Sequence, residues 1–283
     1  MINQAFSSMK PYILCVSILL GLFSCKQLPV SAQITPGTPI LVAHAHNDYV
    51  HKRPLAEALE QGFTSLEIDI FLHKGEIIVS HVPLFLNLKP NLRERYLEPL
   101  HQLIQSQGGK VFPNHDTQLI LMIDVKTNGR EMYPVLKEAL AEYEDMLTIY
   151  TPDSVKRGPV KIVLSGARDG GAIETDERHY FQRDGGFDDS DSPALTPRAS
   201  GVYRKVIKWR GGGDMPTEER EKLQALVQKV HSKGKKLRLF AAPNKEAVWR
   251  ELLDAGVDWI NVDKLKAFRI FYEQYQKEKE TSP

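Results

Sequence analysis

Ser65-Leu66-Glu67-Ile68-Asp69-Ile70-Phe71-Leu72 alternates with a period of two. Leu66, Ile68 and Ile70 fall on one side and Glu67, Asp69 and Phe71 on the other, which predicts a β-strand with an apolar face and an acidic face. A helical pattern near Arg53–Gln61 ends at Gly62 just before it, and Gly75 separates it from a second short strand, Glu76–His81. Downstream, Leu119–Lys126 (LILMIDVK) has the continuous apolar character of a parallel strand covered on both faces.

Outward from these strands the same order repeats. Ile40–His44 supplies a strand before them, and helical patterns follow near Leu92–Gln105, interrupted at Pro99, and near Arg130–Glu144. Strands are expected at Val160–Leu164, Leu237–Ala241 and Trp259–Val262, with Tyr203–Trp209 a further candidate. Helices are expected at Thr217–His231, with Thr217 as N-cap, and at Lys245–Ala255 and Leu265–Lys279. Strand then helix, repeated along 283 residues, predicts an α/β fold: a single-domain TIM-type (β/α)8 barrel. Ala167–Thr196 shows no clear period, and within it Asp184–Ser192 (DGGFDDSDS) reads as a solvated loop.

Lys and Arg number 37 against 36 Asp and Glu, so no bulk basic charge points to nucleic acid. The basic stretch His231–Arg238 (HSKGKKLR) reads as a solvated helix end and turn. Near the N-terminus, Lys10 precedes an apolar run, Tyr12–Phe23, that is short for a membrane span and suited to a signal peptide. It ends in Leu22-Phe23-Ser24-Cys25, which resembles the bacterial lipobox. The expectation is a lipoprotein signal peptide over 1–25 with Cys25 lipidated, a tether over 26–39 and the barrel over 40–283. This places the chain as an exported monomer held to a membrane by an N-terminal lipid anchor, in a bacterial periplasm or on a cell surface. Simple secretion after Val30-Ser31-Ala32 is the second choice. The two cysteines, Cys15 and Cys25, both lie in this leader, so the barrel holds no internal disulfide.

Reactive side chains of a barrel gather at the C-terminal ends of its strands. Those positions hold His44, His46, Glu67, Asp69, His81, Asp124 and Lys126, with Asn261 and Asp263 near the last strand. Carboxylates facing one site repel each other unless a cation lies between them, so Glu67, Asp69 and Asp124 are candidate oxygen ligands for Mg²⁺ or Ca²⁺. Histidines beside such an ion can act as general base and general acid, and Lys126 can neutralise a phosphate oxygen. A lone strand-end histidine is more often a hydrogen-bonded core residue, and a lone lysine a solvated charge. Two acids in one apolar strand are harder to account for structurally.

AHAHNDY (43–49), EALEQGFTSLEIDIFLHKGEIIVSH (57–81), LMIDVK (121–126) and GVDWINVD (256–263) together resemble the phosphatidylinositol phospholipase C-like phosphodiesterases. Within them the nearest likeness is to the glycerophosphodiester phosphodiesterase and sphingomyelinase D group, in a branch opening HxHNDY. The resemblance implies metal-dependent cleavage of a phosphodiester, possessed by a small molecule or a lipid. It implies a dyad of His81 with His44 or His46, a divalent cation on Glu67, Asp69 and Asp124, and Lys126 on the phosphate. Ala45-His46 replaces the Arg-Gly of the glycerophosphodiester branch, and Val82 replaces the Asp after its second histidine. Two alternatives remain at this stage: an amidohydrolase-type metal hydrolase, from His44-x-His46, and a non-catalytic ligand-binding barrel.

Overall fold

A computed structural model describes residues 34–281. Strand β1 (Ile40–Ala45) leads through helix α1 (Ala56–Glu60) to β2 (Phe63–His73), which turns back into β3 (Glu76–Val79). Helix α2 (Glu98–Ser106), β4 (Leu119–Val125) and α3 (Gly129–Ala141) follow, then a small hairpin of β5 (Ile149–Tyr150) and β6 (Val155–Lys156). Next come β7 (Val160–Gly166), α4 (Gly170–Thr175), β8 (Phe181–Gly185), β9 (Arg198–Val202) and α5 (Tyr203–Val206). The chain ends with α6 (Thr217–Ser232), β10 (Lys236–Phe240), α7 (Glu246–Asp254), β11 (Trp259–Val262) and α8 (Leu265–Thr281).

Eight strands, β1, β2, β4, β7, β8, β9, β10 and β11, pair in that order, all parallel, and β1 pairs with both β2 and β11. The sheet is therefore closed, and the TIM-type barrel expected from the alternation is present as one domain. Leu66, Ile68 and Ile70 of β2 face the helices and are fully buried. Their neighbours Ser65, Glu67 and Asp69 take the opposite face, as period two requires. The last helix completes the ring: Phe268 of α8 packs on Phe63 of β2 and edge-on to Trp249 of α7.

Four expectations are corrected. Tyr203–Trp209 is no strand: the strand lies just before it, at Arg198–Val202, where Ala-Ser-Gly gives no alternation to read, and Tyr203–Val206 is a helical turn. β8 and β9 are joined without a helix, and Asp184 belongs to β8 rather than to a solvated loop. In the rest of that Asp-rich run, Asp189 accepts from the buried Lys235 and Asp191 pairs with Arg183, so these acids serve as counter-ions. Pro216, not Thr217, occupies the N-cap of α6, and Glu219 of its first turn accepts from the Lys208 and Trp209 amides.

The expected leader over 1–25 lies outside the described residues, as does the tether through residue 33. The described part of the tether is packed rather than free: Ile34 is buried, and the Gly37 amide donates to the Leu59 carbonyl at 2.9 Å. Deleting the Phe268 ring should expose the α7–α8 seam. Phe268→Ala is expected to lower unfolding free energy by about 3–5 kcal/mol, read from urea denaturation.

Candidate active site

The site is built from the string AHAHNDY outward. β1 carries His44 into the barrel interior, where it is fully buried. Its Nδ1 lies 2.7 Å from Ser65 Oγ and its Nε2 3.1 Å from Glu67 Oε2. Arg198 donates to the same Ser65 oxygen at 3.1 Å, so the Ser65 hydroxyl proton points to Nδ1 and the His44 Nε2–H donates to Glu67. Burial, with the Arg238 charge, holds His44 well below the ordinary histidine value, as a neutral ring.

The remaining residues of the string each have a task. His46 leaves the strand end, and its Nδ1 donates to Asp263 Oδ1 at 2.7 Å. Asp263 is fixed in turn by Asn244, whose amide donates to Oδ2 at 2.6 Å. Asn47 takes the left-handed conformation (φ 48°), which asparagine tolerates better than most residues and which turns the chain back over the barrel. Asp48 is buried and accepts from the Leu55 amide at 2.6 Å and the Tyr96 hydroxyl at 2.8 Å, pinning that turn. Tyr49 then reaches Asp69 Oδ2 at 2.7 Å and lies 3.0 Å from His81 Nδ1.

β2 and β4 align Asp69 with Asp124 in register. One ligand atom from each of Glu67, Asp69 and Asp124 lies within 4.8 Å of the others. Each carboxylate has one oxygen engaged. Glu67 Oε2 meets Arg238 and His44, Asp69 Oδ2 meets Tyr49, His81 (2.9 Å) and Lys126 (3.2 Å), and Asp124 Oδ1 meets Lys126 (3.1 Å). Among the described residues the second oxygens accept no hydrogen bond, and Asp69 Oδ1 is buried without a partner. An orphaned carboxylate oxygen facing two other acids is the donor set of a hard divalent cation, so these residues fit one.

The electrostatics divide the three acids. Burial alone would raise Glu67, yet Arg238 and His44 hold its carboxyl far below the usual range. Burial raises Asp124, against the pull of Lys126. Lys126 itself is raised by Asp124 and Asp69 in spite of its partial burial. Gly166 of β7 lies against this pair with φ 70°, and a Cβ there would stand 2.4 Å from Asp124 Oδ1. Only glycine fits that position.

The structure thus brings together His46, Glu67, Asp69, His81, Asp124 and Lys126, and places His44 beneath them. Several residues escaped the sequence reading. Arg238, taken as part of a solvated basic turn, is buried on β10, bonded to Glu67 and to Asn261 Oδ1 (2.9 Å). Its signal was Leu237-Arg238-Leu239, a charge alternating with core residues as in β2. Arg198 is fully buried with its guanidinium 4.0 Å from the Trp259 ring, and burial lowers it to about 10. Asp184 is buried beside both arginines and accepts from Ser200 at 2.7 Å; burial raises its carboxyl. A cleft of about 310 Å³ opens beside the acids, lined by Glu67, Asp124, Ser165, Arg168, Asp184 and Phe240 among others. Ser165 Oγ and Arg168 Nε are buried there without a hydrogen-bond partner among the described residues.

Removing Arg238 strands a buried carboxylate, so Arg238→Met is expected to cost about 3–5 kcal/mol of stability in urea unfolding. His44 gives a pH signature. The fold keeps it neutral, while the unfolded chain takes up a proton near the ordinary value of 6.5, so stability present above that value is lost as pH falls. Between pH 7 and pH 5 in EDTA, His44→Gln should lose about 2 kcal/mol less than the unsubstituted chain.

Comparisons with known proteins bear on the family. The AIM6-like phosphodiesterase domain matches residues 30–188. "Altered inheritance of mitochondria protein 6" of Eremothecium gossypii is 26% identical over 85% of this chain and 72% of its own length. Its homolog in Arthroderma benhamiae is 26% identical over 84% and 86%, and the Saccharomyces cerevisiae protein 26% over 88% and 76%. Among solved structures, a glycerophosphodiester phosphodiesterase from Agrobacterium tumefaciens superposes with a TM-score of 0.48 at 13% identity, over 83% of this chain and all of its own. The relatives overturn one expectation. They are fungal proteins named for mitochondrial inheritance, not bacterial membrane lipoproteins, so the placement as an exported bacterial lipoprotein anchored through Cys25 is withdrawn. No helix among the described residues is long and apolar enough to cross a membrane.

Proposed function

The chain belongs to the AIM6-like phosphodiesterase domain family, and from that premise we propose that it cleaves a phosphodiester with His46 and His81 as the acid–base pair. The observation that carries the choice of histidines is their bonding. His44 spends both ring nitrogens inside the barrel and is fully buried, so it has no atom to offer a substrate. His46 and His81 each have Nδ1 bound to a carboxylate, Asp263 and Asp69, which fixes the tautomer and leaves Nε2 unbonded among the described residues. Their side chains are 28% and 61% exposed.

One Nε2 removes the proton from the attacking oxygen, a substrate hydroxyl or water, and the other gives a proton to the departing alkoxide. His44 is then a positioning residue that holds Glu67 in place. Lys126, fixed between Asp69 and Asp124, offers positive charge to a phosphoryl oxygen. Glu67, Asp69 and Asp124 would hold Mg²⁺ or Ca²⁺, which supplies Lewis-acid stabilisation of the charge that develops on phosphorus-bound oxygen. The cleft lined by Ser165, Arg168 and Asp184 gives a polar substituent of the substrate a place beside the acids.

Hydrolysis of bis(p-nitrophenyl) phosphate tests this reading. EDTA should abolish it and Mg²⁺ or Ca²⁺ restore it, with Glu67→Gln inactive. His46→Ala and His81→Ala should each lower kcat by about 10²–10⁴ with calorimetric metal binding retained. Full activity in His46→Ala would move the dyad elsewhere, and no metal binding at all would end the proposal.

A further inference from the structure

Val82-Pro83-Leu84-Phe85-Leu86-Asn87-Leu88-Lys89-Pro90-Asn91 leaves the site directly after His81. Protein surfaces carry large apolar side chains, but scattered singly. Here they are gathered. Of the eight large hydrophobic side chains exposed among the described residues, Val82, Leu84, Phe85 and Leu88 lie on this loop and Val50 on the turn beside it. Phe85 is 76% exposed and Leu88 82%. Val50 and Val82 share a cleft wall with Tyr49, His81, Lys89 and Arg95, so the patch is continuous with the site.

The loop is held in place. The β2–β3 hairpin runs on through Phe71, Leu72 and His73 after β2 leaves β4, roughly 10 Å past the barrel mouth. Asn87 Oδ1 lies 2.6 Å from His73 Nε2 at the hairpin end. The Val79 amide donates to the Pro90 carbonyl at 3.0 Å, and Ser80 Oγ donates to the Val82 carbonyl at 2.8 Å. Phe85 sits at φ 54°, a left-handed conformation that a bulky residue adopts only at a cost. Strain spent to hold an aromatic ring in water gains nothing within the chain itself; an apolar phase outside the chain would offset it.

Charge indicates which phase. Lys52, Lys89 and Arg95 border the patch and form no ion pair among the described residues, with Lys89 and Arg95 in one cleft and Lys52 and Arg95 in the next. Arg93 is paired with Glu142, and Glu94 is the sole acid between 82 and 97. An apolar tip bordered by free cations has the composition of an interfacial anchor for anionic lipid.

We propose that this face docks the barrel mouth onto an anionic phospholipid surface. Phe85 and Leu88 enter the apolar layer, and Lys52, Lys89 and Arg95 face the headgroups. The substrate is then a phospholipid taken at the interface; that clause rests on the phosphodiesterase reading, and the docking does not.

Hydrogen exchange on the full chain, resolved by peptide, tests the docking apart from activity. Vesicles of phosphatidylcholine with about 30% phosphatidylserine should slow exchange across 82–91 roughly tenfold, and pure phosphatidylcholine much less. Phe85→Ser/Leu88→Ser should lose the protection while β2 and β4 exchange as before and bis(p-nitrophenyl) phosphate is still hydrolysed. Lys89→Glu, which keeps the apolar tip, should lose the preference for anionic vesicles. No vesicle-induced change at 82–91, including protection confined to residues 12–23, overturns the proposal. So does protection already present without lipid that grows with protein concentration, which would assign the face to a second copy of the chain. A chain that docks but cleaves no diester would sink the catalytic reading and leave the docking standing.

Discussion

Glu67 is a carboxylate placed inside a barrel whose centre is normally packed with branched aliphatic side chains. Its burial would be prohibitive without counter-charge, and the arrangement of the surrounding strands answers that need. Arg238 from β10 and His44 from β1 meet one of its oxygens, Asn261 from β11 steadies Arg238, and Asp184 from β8 lies 3.9 Å from the same guanidinium. Arg198 from β9 bonds Ser65, which fixes His44. Strands from around the ring thus contribute to one polar network, and the order in which they close is the order that satisfies it. Loss of one partner leaves the others buried without compensation.

The network also sorts the histidines. Beneath the mouth, where both ring nitrogens are taken, a histidine can only position Glu67. At the rim, His46 and His81 each keep a nitrogen while a carboxylate orients the ring. The acids are sorted in the same way. Glu67 is held ionised by a buried arginine, whereas Asp124 lies at the edge, raised by burial and moderated by Lys126. The edge acids Asp69 and Asp124 therefore lie above an ion pair, Glu67 with Arg238, that is already formed within the barrel.

Much of this was legible in the sequence because it follows a period. Alternation in SLEIDIFL and the continuous apolar run of LILMIDVK, broken only at its end by Asp124 and Lys126, located the acids and the barrel together. The same logic applies to Leu237-Arg238-Leu239, but Lys233, Lys235 and Lys236 just upstream masked it as a solvated turn. Arg198 and Asp184 were hidden for another reason. They lie on five-residue strands joined without a helix, with Gly and Ser where an apolar alternation would have announced a strand. Tyr49 had no sequence signal beyond its place in HNDY. Its role depends on the left-handed turn at Asn47 that returns it to Asp69. The proposal of His46 over His44 likewise rests on the structure, because two residues on one strand end differ there by burial and not by type.

The mouth has two unlike walls, and their difference bears on how a substrate would lie. On one side β7 and β8 present Ser165, Arg168 and Asp184 around a polar cleft. On the other, the turn after β1 and the loop after β3 present Val50, Val82 and the exposed tip of 82–91. The acids and the rim histidines stand between them. A diester with one polar and one apolar substituent would match both walls only in one orientation, with phosphorus over the acids. A small diester such as bis(p-nitrophenyl) phosphate would reach the acids without spanning either wall, so changes to the loop should leave its cleavage unaffected. The separation arises from the position of the hairpin, because β2 places Asp69 within the barrel and, four residues further along the strand, His73 beyond its pairing with β4, where it meets Asn87 of the loop. One strand thereby sets the distance between the chemistry and the apolar tip.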